Sequence, residues 1–472
     1  MDKINKIFKL KVLDDSVYFK ITFLLWGLVH SVTLGQYVTS YASPIIILWG
    51  GLLVIKTIFI DRVNLSNKYL ILVYAFLASY VVTIFLNRDL NFLGNTKTLI
   101  WGVIMMIALF VNDYDKNKEE VLNDICRISR AVVIATLIIS GIALIQFFFN
   151  INFWSPRVDG RPMPQGYYAA RLWGIYIDPN QACNVAIISM MLSLVVYIKN
   201  TLLNRKLLIF NIVVQYIYLV LSGSRGGEIG FIFASIVLMY LVVVYIIKDK
   251  IKGIASRMII GFVLSFIFTF GLISTFPETR KALSIVPNTT YKMKQSIDNI
   301  SSGNKDKDKE KDKDKDKGNL TVERPDATGS NGRIELWTDG FELSKKFPMF
   351  GVGDRNLMIK AQELMPESSI TDQYVHNGFL HMLISGGIVA VVIMLILIGI
   401  VAVIAIKKII FNKKYNEEYY VYSSISILIG SILITTIFLT EIFYQNSFTA
   451  SILWIFMGYL VYLNKNEDFT CE

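Results

Sequence analysis

The chain has 472 residues, 54% of them hydrophobic and 18% charged, with a mean hydropathy of +0.50 and a formal net charge of +10. The apolar excess falls in runs of roughly 17 to 25 residues, the length that crosses a bilayer core of about 30 Å, and this excludes an ordinary soluble domain. Lys and Arg lie mostly in short connections between the runs, so the positive charge reads as membrane orientation and not as a nucleic-acid surface.

In chain order, about twelve helical spans are predicted by the length rule. They cover Val17–Gly35, Pro44–Ile60, Tyr69–Leu86, Thr98–Val111, Ala131–Phe149, Gln181–Ile198, Leu207–Ser222, Gly227–Ile247, Arg257–Thr275, Phe379–Ile406, Val421–Thr440 and Ser447–Leu463. The first apolar run reads as a span and not as a cleavable signal. Alternate connections are rich in Lys and Arg, such as Lys199, Arg205 and Lys206, or Lys407, Lys408, Lys413 and Lys414. The positive-inside rule then puts both termini in the cytoplasm. The expected organisation is spans 1–9 over residues 1–275, an extracytoplasmic loop over 276–376, and spans 10–12 with a cytoplasmic C-terminus over 377–472. A smaller outer loop, 150–178, carries Arg157, Arg161 and Arg171.

Within the large loop, Lys305–Lys317 alternates Lys with Asp or Glu, a composition that cannot bury a core, and it reads as a disordered insert. After it, Ile334, Trp337 and Phe341 recur at helical spacing, with Ser330 or Asn331 as the cap. Cys126, Cys183 and Cys471 show neither metal spacing nor a paired framework. The Asp306-Lys307-Asp308 match to a metal signature lies inside the charge repeat and is set aside. The sequons at Asn288, Asn299 and Asn319 are too short a pattern to assign.

Three places suggest chemistry. Arg171 opens a run ending in Asp178-Pro179-Asn180 just before the sixth span. A charge that close to hydrocarbon has a function or a partner, and pairing with Asp178 is the plain alternative. Arg225 sits in Ser-Gly-Ser-Arg-Gly-Gly at the head of the eighth span. A helix N-terminus, close-approaching glycines and a guanidinium suit phosphate; a tight turn with a snorkelling Arg is the alternative. His376, in His-Asn-Gly-Phe-Leu-His before the tenth span, suits a general base, with a hydrogen-bonded cap as the alternative. His381, five residues on, falls on another helix face.

These residues resemble the O-antigen ligase and polysaccharide polymerase superfamily of bacterial envelopes. The similarity rests on Arg171 and Gly174 with Asp178-Pro179-Asn180, on Ser224-Arg225-Gly226, and on a third block. That block comprises Gly332-Arg333 with Trp337, Phe347-Pro348-x-x-Gly351-x-Gly353, His376-Asn377-x-x-Leu380 and Gly386-Gly387. The resemblance implies an all-α integral membrane protein with a bundle like that of the C-type glycosyltransferases. It implies a donor glycan on undecaprenyl pyrophosphate, Arg171, Arg225 and Arg333 on the pyrophosphate, His376 as base, inversion, and neither a metal nor a cofactor. The charged insert departs from the family pattern.

Within the family, a polymerase passes the chain to another lipid-linked repeat, and a ligase passes it to a different acceptor. The Lys-, Ile- and Asn-rich composition resembles proteins of low-GC, single-membrane bacteria, which favours a polymerase and a capsule. A flippase or other transporter also has about twelve spans, but its ionisable residues belong near the midplane, not at span ends. Expected partners are lipid-linked glycans, the bilayer, a chain-length regulator and a flippase, with no nucleic acid.

Overall fold

Side chains that cap helices sit at the start of several apolar runs. Asp15 accepts from Val17 N (3.2 Å), Asn204 from Lys206 N (2.9 Å) and Asn416 from Tyr419 N (3.0 Å). Asn117 and Glu120 form a reciprocal capping box, both bonds 3.0 Å long. Each satisfies amide groups that the first helical turn leaves unpaired. The computed structural model describes residues 11–61, 68–113, 116–199, 203–247, 250–251, 253–301, 332–411 and 415–465. The expected insert over 305–317 and Cys471 lie outside the described residues.

The helices are α1 (Ser16–His30), α2 (Gly35–Ile55), α3 (Lys68–Leu86), α4 (Phe92–Val103), α5 (Lys118–Phe148), α6 (Pro179–Ile198), α7 (Arg205–Ser222), α8 (Arg225–Ile247), α9 (Ile254–Ser274), α10 (Phe276–Ser301), α11 (Arg333–Lys346), α12 (Leu357–Leu364), α13 (Gly378–Phe411), α14 (Glu417–Thr435) and α15 (Phe448–Lys465). Short π-helical stretches continue α2 over Lys56–Ile60 and α4 over Ile104–Val111. Between α5 and α6, β1 (Phe153–Pro156), β2 (Pro162–Tyr168) and β3 (Arg171–Gly174) form an antiparallel sheet in that order. Among the described residues ten helices are long and apolar enough to cross a membrane, and Ser16–His30 and Phe448–Asn464 are shorter apolar helices. The chain is an all-α, multi-pass integral membrane protein.

Several boundaries differ from the sequence expectation. The second helix begins at Gly35 and runs through Pro44, where one ladder hydrogen bond is missing. The fourth begins at Phe92 and reaches Val111 through its π turn, which makes an apparently short span 20 residues long. The fifth begins at Lys118, because its first turns are charged but still helical. The eleventh predicted span stops at Thr435, not Thr440. The Thr436 carbonyl accepts from Gly378 N (2.7 Å), so residues 436–447 leave the helix as an irregular segment despite their apolar start.

Packing places α6 at the centre: 78% of its apolar window is buried, against 22% for the stretch Ala255–Met293, whose Phe262, Phe266 and Phe270 point outward. A buried polar chain joins α5, α6 and α7. Asn211 donates to Ser189 (2.9 Å) and Ser193 (2.8 Å), Gln215 donates to Asn211 (3.1 Å), and Ser140 donates to Gln215 (2.9 Å). In lipid, such bonds hold helices together where burial of apolar surface cannot. At the end of the bundle that holds Asn112 and Asp113, Lys20 is fully buried against Asp113, which also meets Ser16, Lys116 and Tyr459. Burial alone would raise the Asp113 carboxyl, but Lys20 and Lys116 and the bonds from Lys20 and Ser16 pull it down to about 2.

At the opposite end, α11 and α12 build a small core of Leu336, Leu343, Val352, Leu357, Ala361, Ile370, Val375 and Ile384. Of the stripe Ile334, Trp337 and Phe341, Trp337 packs partly buried against this core. Leu336, Gly340 and Leu343 are buried, whereas Ile334 and Phe341 are exposed. The cap position is taken by Gly332, at φ 72°, and not by Ser330 or Asn331, which are outside the described residues. This small core is locked to the bundle at a kink in α13, where Gly387 has φ 72° and ψ −176°. There Val352 N donates to Ile384 O (2.9 Å), Gly353 N to Ser385 O (2.9 Å) and Ile388 N to Pro348 O (2.8 Å). A Cβ on Gly351 would lie 2.5 Å from Ile384 O, and one on Gly387 2.2 Å from Met349 O. The glycines of the third motif are therefore required by two backbones in contact.

Candidate active site

Arg171 is presented by a strained hairpin. Tyr168 pairs with Arg171 across the two-residue turn Ala169–Ala170, whose φ values are 51° and 57°. Turns of this hand match strand twist but favour Asn-Gly, so two alanines carry strain in order to aim the next residue. Arg171 Nε donates to the Ser222 carbonyl (2.9 Å) and Nη2 to Asn180 Oδ1 (2.6 Å). It thereby ties β3 to the end of α7 and the start of α6. Asp178 caps α6 by accepting from Asn180 N (2.8 Å), with Pro179 following as the first helical residue.

Beside this joint lies a cavity of about 660 Å³. Arg157, Arg171 and Arg355 contribute guanidinium groups to its wall, and His376, Tyr374 and Glu441 add titratable groups. His376 is half-buried with φ 47°, in the left-handed region that residues with a side chain seldom adopt. Its neighbour Asn377 caps α13, accepting from Phe379 N (3.1 Å) and Leu380 N (3.0 Å), so the cap expected of the histidine belongs to the asparagine. Burial holds the His376 imidazole below its ordinary value near 6.5; Asp178 opposes the shift and Arg333 adds to it. The ring is neutral at pH 7 and can accept a proton.

Arg355 is held from behind. Asp354 is buried and bonds His381 Nε2 (2.9 Å), Gln445 Nε2 (3.0 Å), Thr98 Oγ1 (3.1 Å) and Arg355 Nε (3.1 Å). His381 is thus a buried support of this loop, away from the cavity wall.

Arg225 and Arg333 are not among the described wall residues of the cavity. Arg225 begins α8, where Ser224 Oγ accepts from Gly227 N (3.2 Å) as a cap. Gly226 and Gly227 sit tightly on Phe438 and Cys183, so the glycines serve packing as well as the turn. Arg333 lies over the Phe438 ring at 5.7 Å. Phe438 precedes Leu439, Thr440 and Glu441 of the wall, so Arg333 stands over a ring next to the cavity, and Gly226, beside Arg225, packs on the same ring.

Sequence reasoning missed Glu441, Arg355 and the hairpin, and assigned Arg157 only a secondary place. Glu441 is buried, and Thr449 Oγ1 donates to its Oε2 (3.1 Å). Its Oε1 has no hydrogen-bond partner, and neither do Arg157 Nε and Trp173 Nε1 in the same wall. Buried polar atoms without partners are rare, and three around one cavity suit a polar ligand. Among the described residues no three His, Cys, Asp or Glu gather in a metal-holding group.

Residues 210–395 match the family model described as O-antigen ligase. Over that stretch the chain is similar to the O-antigen ligase family. The match runs from α7 into α13, and so includes Arg225, Arg333, Arg355 and His376; Arg171, Arg157 and Glu441 stand outside it. Members of that family are glycosyltransferase-like ligases and polymerases. No curated protein matches the chain.

Proposed function

We propose that the chain is a polysaccharide repeat-unit polymerase. It transfers a glycan from undecaprenyl pyrophosphate to a hydroxyl of another lipid-linked repeat, on the outer face of the bacterial cytoplasmic membrane, for a capsule or O-antigen type of product. The observation that carries this reading is one cavity whose wall combines Arg157, Arg171 and Arg355 with His376.

The donor's anomeric carbon already carries a good leaving group. Guanidinium groups of Arg171, Arg157 and Arg355 bind the two phosphates through paired hydrogen bonds and stabilise the charge that grows as the C–O bond breaks. Arg225 and Arg333 flank that site and add positive potential. His376, neutral because it is partly desolvated, accepts the proton of the attacking hydroxyl, a contribution of typically about 10²–10⁴-fold. Attack from the face opposite the diphosphate inverts the anomeric centre.

The basic connections support an orientation with both termini in the cytoplasm and the cavity outward. A flippase then supplies the donor, and a chain-length regulator is a natural partner. The description of the matching family model, O-antigen ligase, favours a second acceptor reading, in which the finished chain passes to a different molecule. Deleting the gene separates the two. A polymerase leaves lipid-linked single repeats to accumulate while long polymer disappears. A ligase leaves long polymer stranded on its lipid. Unchanged lipid-linked pools and unchanged product would refute both.

A further inference from the structure

Glu441 has a place in the cavity that the proposed chemistry does not yet use. Among the described residues it is the carboxylate in the irregular 436–447 segment, one helix end away from the arginines. Its side chain is buried in the wall, with Oε2 fixed by Thr449 and Oε1 without a donor. Gln181 and Asn184 of α6 stand beside it, and Asn184 Oδ1 is also without a partner. A buried carboxylate oxygen left unpaired is costly, and its natural complement is a hydroxyl. The neighbouring wall is rich in amides and hydroxyls, including Gln445, Asn446 and Ser447. Such groups are suited to a sugar, in contrast to the guanidinium groups contributed by the hairpin and Arg355.

We propose that Glu441 binds the acceptor: its Oε1 takes a hydrogen bond from a hydroxyl of the acceptor sugar and so orients that sugar toward His376. The proposal rests on the glycan-transfer reading and adds the acceptor subsite to it. Glu441 is a binding and positioning residue, distinct from the group that removes the proton.

The ionisation of this carboxyl provides an independent readout. Burial raises it, Asp178 raises it further, and the polar side chains of Thr449, Asn184 and Gln181 lower it, leaving it at about 8. The other charged or titratable groups of the cavity are Arg157, Arg171, Arg355, Asp178, Tyr374, His376 and His30. Below pH 8 the side chain is mostly the neutral acid, and above it the stronger acceptor. Acceptor binding by the wild type therefore tightens as pH rises through about 8. His376, already neutral there, cannot produce that change.

The test uses full-length protein in nanodiscs, a radiolabelled lipid-diphosphate oligosaccharide as donor, and a synthetic acceptor glycan on a short lipid. At pH 9, where the carboxyl is ionised, Glu441→Ala should leave donor affinity unchanged and raise the acceptor KM about 10- to 100-fold, the range expected on losing a hydrogen bond to a charged group. Glu441→Gln keeps the size and one neutral acceptor. It should raise KM less and abolish the pH dependence near 8. Donor affinity reports folding in both, and if the alanine variant fails to fold, the glutamine variant decides. An acceptor KM within twofold of wild type, or a fall in kcat alone, overturns the proposal. Failure of the wild type to transfer at all overturns the glycan-transfer reading itself, a separate outcome from failure confined to Glu441.

Discussion

Replacing Gly387 by alanine should damage the site from a distance. Gly387 is at φ 72° and ψ −176°, a region open essentially to glycine, and a side chain forced there costs about 1–3 kcal/mol. The added Cβ would also lie 2.2 Å from Met349 O, 2.3 Å from Met349 C and 2.4 Å from Phe350 N. These are backbone atoms, so relief requires moving the 348–353 segment, with overpacking costs of about a further 1–3 kcal/mol. That segment leads into Asp354 and Arg355, and its displacement removes Arg355 from the cavity wall. A Cβ added to Gly399, on the same helix, would meet nothing within 4 Å, so Gly399→Ala is the control. It should be neutral or stabilise by up to about 1 kcal/mol through helix propensity. The assay is unfolding in nanodiscs alongside glycan transfer at matched folded protein. Gly387→Ala should lose both stability and transfer. Equal melting and equal transfer in the two variants would refute the account of the kink.

Two further outcomes follow from the ionised groups. Lys20→Met should cost about 3–5 kcal/mol in a melting experiment, because it leaves buried Asp113 short of a partner, while Lys20→Met with Asp113→Leu should recover most of that loss. A double variant as unstable as the single one would contradict this. For pH, His376 works as a base only when neutral, and burial holds it below 6.5. At saturating acceptor, where the Glu441 effect on binding drops out, kcat should therefore persist at pH 6.5 and decline only at lower pH, along an acid limb that disappears in His376→Gln; a limb in kcat above 6.5 would contradict the assignment.

Apolar runs made the helices legible, because a bilayer demands length and hydrophobicity whatever the helix touches. The ends were less legible. Ile437, Phe438 and Leu439 read as continued span, yet a tertiary bond from Gly378 stops the helix before them and brings buried Glu441 into the cavity wall. The same apolar context hid Glu441 from a search for charged clusters. Arg171 and His376 stood out as charged or titratable residues at span ends, and both line the cavity. Arg225 and Arg333 stood out equally, but neither is among the described wall residues, and Arg333 lies over Phe438. Arg355 closely follows the Gly351-x-Gly353 motif, so the signal was near at hand. What could not be read was that the glycines seat a loop on the α13 kink. The β2–β3 hairpin joins a seven-residue strand whose buried positions do not alternate to one of four residues, with alanines where turn residues would be expected.

The most direct test is single-turnover glycan transfer by the purified chain from a lipid-diphosphate donor, with donor binding measured on the same samples. His376→Ala should bind donor like the wild type and transfer about 10²–10⁴-fold more slowly, while Arg171→Ala should lose binding and transfer together. Transfer at the wild-type rate by His376→Ala, with donor binding intact in Arg171→Ala, would contradict the placement of the reaction in this cavity.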